Sequence, residues 1–134
     1  MELVILVLVL ALAQYLYFGA LTGVARRKYN LPAPAVAGHP VFERYYRVQM
    51  NTLEQLVVFV PALWIFFTLF ERLGWSGGEL AAALGVPWLL GRALYARNYV
   101  RDPETRRIGF LLTIVPSILL LVGSGVALFI AIAG

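Results

Sequence analysis

The chain has 134 residues, 61% of them hydrophobic and 13% charged, with a formal net charge of +4 and no cysteine. That apolar share lies well above that of an ordinary soluble domain, and the length suits a single domain, 1–134. Without cysteine the chain has no disulfide, no thiolate metal site and no thiol nucleophile of its own, so any thiol chemistry needs a thiol carried in by a substrate.

A helix that crosses a bilayer needs about 20 apolar residues. Leu3–Val24 is uncharged and predicts a first helix over about 3–25. "ALA" at Ala11–Ala13 has the look of a signal cleavage site, but the start carries Glu2 and neither Lys nor Arg, and the apolar run continues to Val24. The segment therefore reads as a span. "LPAPAVAGHP", Leu31–Pro40, is a Pro/Gly-rich loop, with Pro40 suited to the first turn of a second helix over about 41–71. At 1.5 Å per residue that helix is about 46 Å long, some 15 Å more than the hydrocarbon core of about 30 Å. Its first turns, with Glu43, Arg44 and Arg47, should project into the interface. Pro61 should bend it. "GWSGGE" leads into a third helix over about 78–101, interrupted by Arg92. "RDPE", Arg101–Glu104, turns into a fourth over about 104–133, uncharged from Ile108 onward, with Pro103 and Glu104 in its first turn. Helices 1 and 4 have no polar face, which excludes a soluble bundle. The expected fold is an all-α integral membrane bundle of four transmembrane helices.

Ten of the eleven Lys and Arg residues lie in or beside the first and third loops; only Arg72 belongs to the second. The positive-inside rule puts loops one and three in the cytoplasm and both termini outside. Topology and contact with anionic lipid account for Arg27, Lys28 and Arg107, but less well for arginines inside helical stretches. The short chain and the lack of a retention signal point to a bacterial inner membrane.

Within "FERYYRVQMNTLEQLVVF", Arg47, Asn51, Glu54 and Val58 are spaced 4, 3 and 4, so they share one face of helix 2, with Gln55 beside it and Arg44 extending it outward. Ionisable groups inside a span face the bundle interior or a water-filled cavity and mark a functional site by default. Two structural alternatives remain open: an internal lock, Arg47 on Glu54 or Glu54 on an arginine of helix 3, and Asn51 as an interhelical bridge. On helix 3, Arg92, Tyr95 and Tyr99 form a second polar stripe at the same depth, and Arg106 opens helix 4. Several fixed cations, one carboxylate, amides and phenols suit a small, multiply anionic solute that also carries an ammonium group. Arginines would take carboxylates as charge-assisted forks, Glu54 the ammonium, and Asn51 and Gln49 amide groups. Glutathione has that composition. His39 has no metal partners, and there is no phosphate loop, catalytic triad or nucleic-acid signature. Ser117 and Ser124 should bond to their own helix, and Gly123 and Gly125 should permit close packing.

"FERYYRVQMNTLE", preceded by "ARRKYNLPAP" and followed by "LYARNYVRDPETRR", resembles the MAPEG family, the membrane-associated proteins of eicosanoid and glutathione metabolism, in its leukotriene C4 synthase and microsomal glutathione transferase branch. The resemblance covers nearly the whole chain; in helices 1 and 4 it is only hydrophobic. It implies a homotrimer with glutathione as co-substrate in clefts between subunits, and no metal. It implies glutathione-binding roles for Arg26, Arg47, Gln49, Asn51, Glu54, Tyr95 and Tyr99, thiol activation by Arg106, and assistance from Arg27. The chain departs from the pattern at Gln55, where the branch has Tyr, and at Val57, where it has Pro; Pro61 follows one turn later. The non-enzymatic relative lacks the full arginine set, whereas Arg47 and Arg106 are present here. The expected function is conjugation of glutathione to lipophilic electrophiles from the bilayer, with reduction of lipid hydroperoxides as a second activity; the alternative is a non-catalytic glutathione- or lipid-binding scaffold. A transporter fits poorly, because the polar face occupies only half the membrane depth.

Overall fold

The computed structural model describes residues 1–133, and every regular element among them is helical. The four long helices are α1 (Glu2–Lys28), α2 (Pro40–Arg72), α3 (Gly77–Arg101) and α4 (Arg107–Ala133), with a 3-10 turn, Pro103–Arg106, ahead of α4. α1, α2 and the segment Pro103–Ala133 are long and apolar enough to cross a membrane. α3 has 25 residues, about 38 Å at 1.5 Å each. It is long enough, but Glu79, Arg92, Arg97 and Arg101 make it more polar than the others. It packs against α1, α2 and α4, which buries Arg92, while Glu79 near one end and Arg97 and Arg101 near the other are exposed.

α2 starts as its sequence dictates, with one addition. Pro40 occupies the first turn, and His39, a residue with no assigned task in the sequence, is the N-cap: its Nδ1 accepts from the Val41 N–H at 3.2 Å. The ring is stacked on Tyr29 with centroids 3.6 Å apart, which ties the end of α1 to the start of α2. α2 runs unbroken through Pro61 to Arg72. The turn into α4 differs from the expected α-helical start. Asp102 accepts from the Glu104 N–H at 3.1 Å, and the next residues close as a 3-10 turn. Pro103 and Glu104 therefore precede α4, and Arg106 ends the turn.

At the end away from the arginines the core is apolar. Val4 and Val7 of α1, Phe59 and Leu63 of α2, Ala81 and Trp88 of α3 and Leu120 of α4 pack together, with Phe59 stacked on Trp88 at 4.2 Å. Lipid tails are as apolar as leucine, so packing rather than hydrophobic transfer holds such helices together. Small residues then decide where backbones approach. A Cβ on Gly91 would lie 2.7 Å from Leu112 Cβ and 3.0 Å from the Gly109 carbonyl oxygen, and one on Gly109 would meet the backbone of Tyr95. α3 and α4 therefore cross in near backbone contact at this pair, and the crossing fixes α4 against Tyr95. Gly123 fits tightly, its missing Cβ 2.6 Å from Phe66 Cε2; Gly125, expected to do the same, faces open space. Ser117 and Ser124 donate to the carbonyls of Thr113 and Leu120, at 3.1 and 2.7 Å.

Candidate functional site

Toward the arginine-rich end the interior becomes polar. Arg47 donates to both oxygens of Glu54, from Nη1 at 3.2 Å and Nη2 at 3.5 Å. Asn51, one turn from each, donates from Nδ2 to Glu54 Oε2 at 3.1 Å. Its other amide atom, Oδ1, accepts from Arg92 Nη1 at 3.0 Å, while Arg92 Nη2 donates to Thr52 Oγ1 at 2.8 Å. Arg92 is completely buried and lies over the Tyr95 ring at 4.3 Å. The 4–3 spacing on α2 thus produces a chain of hydrogen bonds from an open ion pair to a buried guanidinium. Of the alternatives left open by the sequence, the Arg47–Glu54 lock forms, Asn51 bridges to α3, and Glu54 reaches the α3 arginine only through Asn51.

α3 continues the same wall. Tyr95 and Tyr99 are stacked with centroids 5.4 Å apart, and the Arg106 guanidinium stands 5.7 Å from the Tyr99 ring centre. Arg106 Nη1 also donates to the Pro103 carbonyl at 3.2 Å, a bond within the 3-10 turn that holds it beside α3. Tyr99 and Arg47 line a shallow cleft of about 420 Å³ with Arg44 and Tyr46. One chain therefore gathers Arg47, Asn51, Glu54, Tyr95, Tyr99 and Arg106 on one flank. The Arg47 and Glu54 side chains are 51% and 50% exposed. In water such a pair would contribute at most about 1 kcal/mol. Glu54 lies 18 residues before the end of α2 at Arg72, about 27 Å along its axis, so with a hydrocarbon core of about 30 Å it sits inside the membrane boundary. An uncovered charge pair at that depth calls for a ligand, water or another protein surface.

Three of the expected site residues are not brought to this flank. Gln49 is two residues from both Arg47 and Asn51, about 200° around the helix, and packs against α1: a Cβ on Gly19 would lie 3.2 Å from its Nε2. Arg26 spends its guanidinium on loop one. Nη1 donates to the Ala35 carbonyl at 2.6 Å and the Pro32 carbonyl at 3.5 Å, and the group lies 4.7 Å from the Phe42 ring centre. Arg27 is exposed at the end of α1. Gln55 is half-buried and Val57 exposed. Arg92, legible in the sequence as part of a polar stripe, is also the inner anchor of Asn51, a role signalled only by its register with Tyr95 and its depth below the helix end. Arg44 has a structural task as well, with Nη1 bonded to the carbonyls of Val100 and Arg101 at 3.1 and 2.9 Å. It closes the C-terminal end of α3, where orphan carbonyls attract a cation.

Comparison with known proteins agrees with this architecture. The MAPEG family model matches residues 4–126. An uncharacterized protein of Synechocystis sp. is 44% identical over 119 residues, covering 87% of this chain and 82% of that one. Human microsomal glutathione S-transferase 2 is 35% identical over 118 residues, covering 87% of this chain and 76% of its own. Bovine leukotriene C4 synthase is 35% identical over 91 residues, covering 67% of this chain and 56% of its own. With a match across nearly its whole length and helices built to span a bilayer, the chain is an integral membrane protein that belongs to the MAPEG family.

Proposed function

We propose that the protein is a membrane-bound glutathione transferase that conjugates glutathione to lipophilic electrophiles and also reduces lipid hydroperoxides. The observation that carries this reading is the flank on which Arg47, Asn51, Glu54, Tyr95, Tyr99 and Arg106 converge, with Asn51 and Tyr95 buried and Arg47 and Glu54 half uncovered at membrane depth. Two relatives bear the names of enzymes of this chemistry. Arg47 takes a carboxylate of the tripeptide and Glu54 its ammonium, each exchanging the present partner for a ligand group of the same charge. The arginine-rich end faces the cytoplasm, where the tripeptide is available, and the host membrane is a bacterial inner membrane.

Arg106 supplies the reactive form of the sulfur. A free thiol has a pKa of about 8.5, and an opposite charge close by lowers such a value by about 1–3 units. Guanidinium cannot lose its proton at these pH values, so it remains a fixed cation beside the sulfur. In conjugation the thiolate forms a carbon–sulfur bond and the electrophile's leaving group departs with its electron pair. With a hydroperoxide the thiolate attacks the terminal oxygen and the oxygen–oxygen bond breaks. The alkoxide takes a proton from water, and a second glutathione converts the sulfenic product to disulfide and water.

The missing wall of the site comes from a neighbouring copy in a homotrimer. Arg26, Arg27 and Gln49 lie away from the site of their own chain, and Arg47 and Glu54 lack cover. A second copy that presented its α1/α2 side would add the former and shield the latter.

The second reading, a binding protein without turnover, is favoured by one observation: Arg47 and Glu54 already satisfy each other, and Arg106 is engaged by Pro103. Calorimetry with glutathione in detergent, followed by a conjugation assay with a chlorinated nitrobenzene, separates the two. Binding with turnover supports the enzyme; binding without turnover supports a glutathione-binding scaffold; no binding at millimolar glutathione rejects both and leaves only a lipid-binding scaffold.

A further inference from the structure

A second cleft opens on the opposite side of α3 from Tyr95 and Tyr99. It has a volume of about 400 Å³ and lies between α1, α2 and α3. Phe18 and Leu21 of α1, Val48 of α2 and Ala96 of α3 form apolar walls, and Arg97 and Arg101 stand at its end. From Ala93 to Arg101 it follows eight residues of α3, about 12 Å, close to the half-thickness of a hydrocarbon core of about 30 Å. That length includes Arg97 halfway along it and Arg101 at its end, so the cleft runs from the headgroup level of one leaflet into the outer part of its acyl region. Among the described residues neither Arg97 nor Arg101 has a side-chain hydrogen bond or ion pair to protein, although their neighbours Arg44, Arg47 and Arg92 are all engaged.

We propose that this cleft is a binding site for one anionic membrane phospholipid, its acyl chain between α1 and α3 and its phosphate on Arg97 and Arg101. Charge complementarity selects the occupant: guanidinium groups pair with phosphate as forks, and a basic side chain near an anionic leaflet gains about fivefold in affinity. A zwitterionic lipid would fill the groove and offer a phosphate, but its own ammonium offsets that charge, so it would hold the two arginines less strongly. A soluble anion would pair with them but leave the apolar walls empty. The lipid would wedge α1 against α3 at the end where they part, below the point at which Gln14 Nε2 ties α1 to the Leu89 carbonyl at 3.2 Å.

The test uses the full chain in mild detergent, stripped of lipid and then offered equal amounts of phosphatidylglycerol and phosphatidylcholine, with retained lipid counted by native mass spectrometry. One phosphatidylglycerol per chain should be retained. The double variant R97Q/R101Q should lose it, with affinity down about 25-fold for two charges. Ala93→Trp, at an exposed position on the rim, should exclude both lipids, and Arg72→Gln, at the other end of the bundle, should change nothing. Equal retention of the two lipids, or retention unaffected by R97Q/R101Q, would overturn the proposal and leave these arginines a role in topology alone. So would an Ala93→Trp protein that keeps its phosphatidylglycerol but loses turnover with an apolar electrophile, since the cleft would then be a substrate path.

Discussion

The two halves of the bundle hold together by different means. At one end, Phe59 stacks on Trp88, and Leu63 and Leu120 pack beside them, with the buried Trp88 indole N–H left without a hydrogen-bond partner among the described residues. At the other, the contacts between α2 and α3 include a buried arginine whose two Nη atoms bond to an asparagine and a threonine, while its Nε has no partner among the described residues. Packing tolerates modest changes of shape, whereas a buried polar network loses far more when one member goes. The apolar half is suited to stability, and the polar half to holding a charged ligand at membrane depth in a fixed geometry.

Substitutions can break this division in order of expected effect. Arg106→Ala should lower conjugation at neutral pH by about 8- to 30-fold, the loss of thiolate fraction when a pKa 1–3 units below about 8.5 returns to that value, with little change in thermal stability, because the side chain is exposed and hydrogen-bonds only within its own turn. Steady-state kinetics beside a melting curve check both parts. Asn51→Leu leaves the buried Arg92 charge without one of its two acceptors and should cost about 3–5 kcal/mol, read as a lower melting temperature in detergent together with lost glutathione affinity. Trp88→Ala should cost a similar 3–5 kcal/mol by opening a cavity, yet at a temperature where the variant is folded its glutathione affinity should match the parent. A loss of affinity there would mean that the halves are coupled. The smallest stability change belongs to Glu54→Gln. The half-exposed pair with Arg47 contributes at most about 1 kcal/mol to folding, while calorimetry should show at least a tenfold loss of glutathione affinity, since a buried charged contact to a ligand is worth about 2–5 kcal/mol.

The same division decides what could be read from the sequence. Apolar runs marked the helices, because a bilayer admits few alternatives to them, and the 4–3 spacing of Arg47, Asn51 and Glu54 put them on one face because helical geometry is local. Features that depend on a distant partner were not legible. His39 gave no sign that it caps α2, nor Arg26 that it would hold loop one through Ala35. The Gly91–Gly109 crossing joins residues of two helices that individually look like ordinary glycines. Arg92 was visible as a charge in a span, but its bonds to Asn51 and Thr52 depend on how α3 is rotated against α2. The 3-10 turn at Pro103–Arg106 escaped because proline and an acidic residue open either kind of helix.

On the proposed function, the polar flank holds glutathione with its sulfur ionised. The most direct measurement is the ultraviolet absorbance of the thiolate in the protein–glutathione complex, titrated against pH. The bound thiol should titrate with an apparent pKa about 1–3 units below the value of about 8.5 for a free thiol. A bound thiol that titrates at its ordinary value would contradict it.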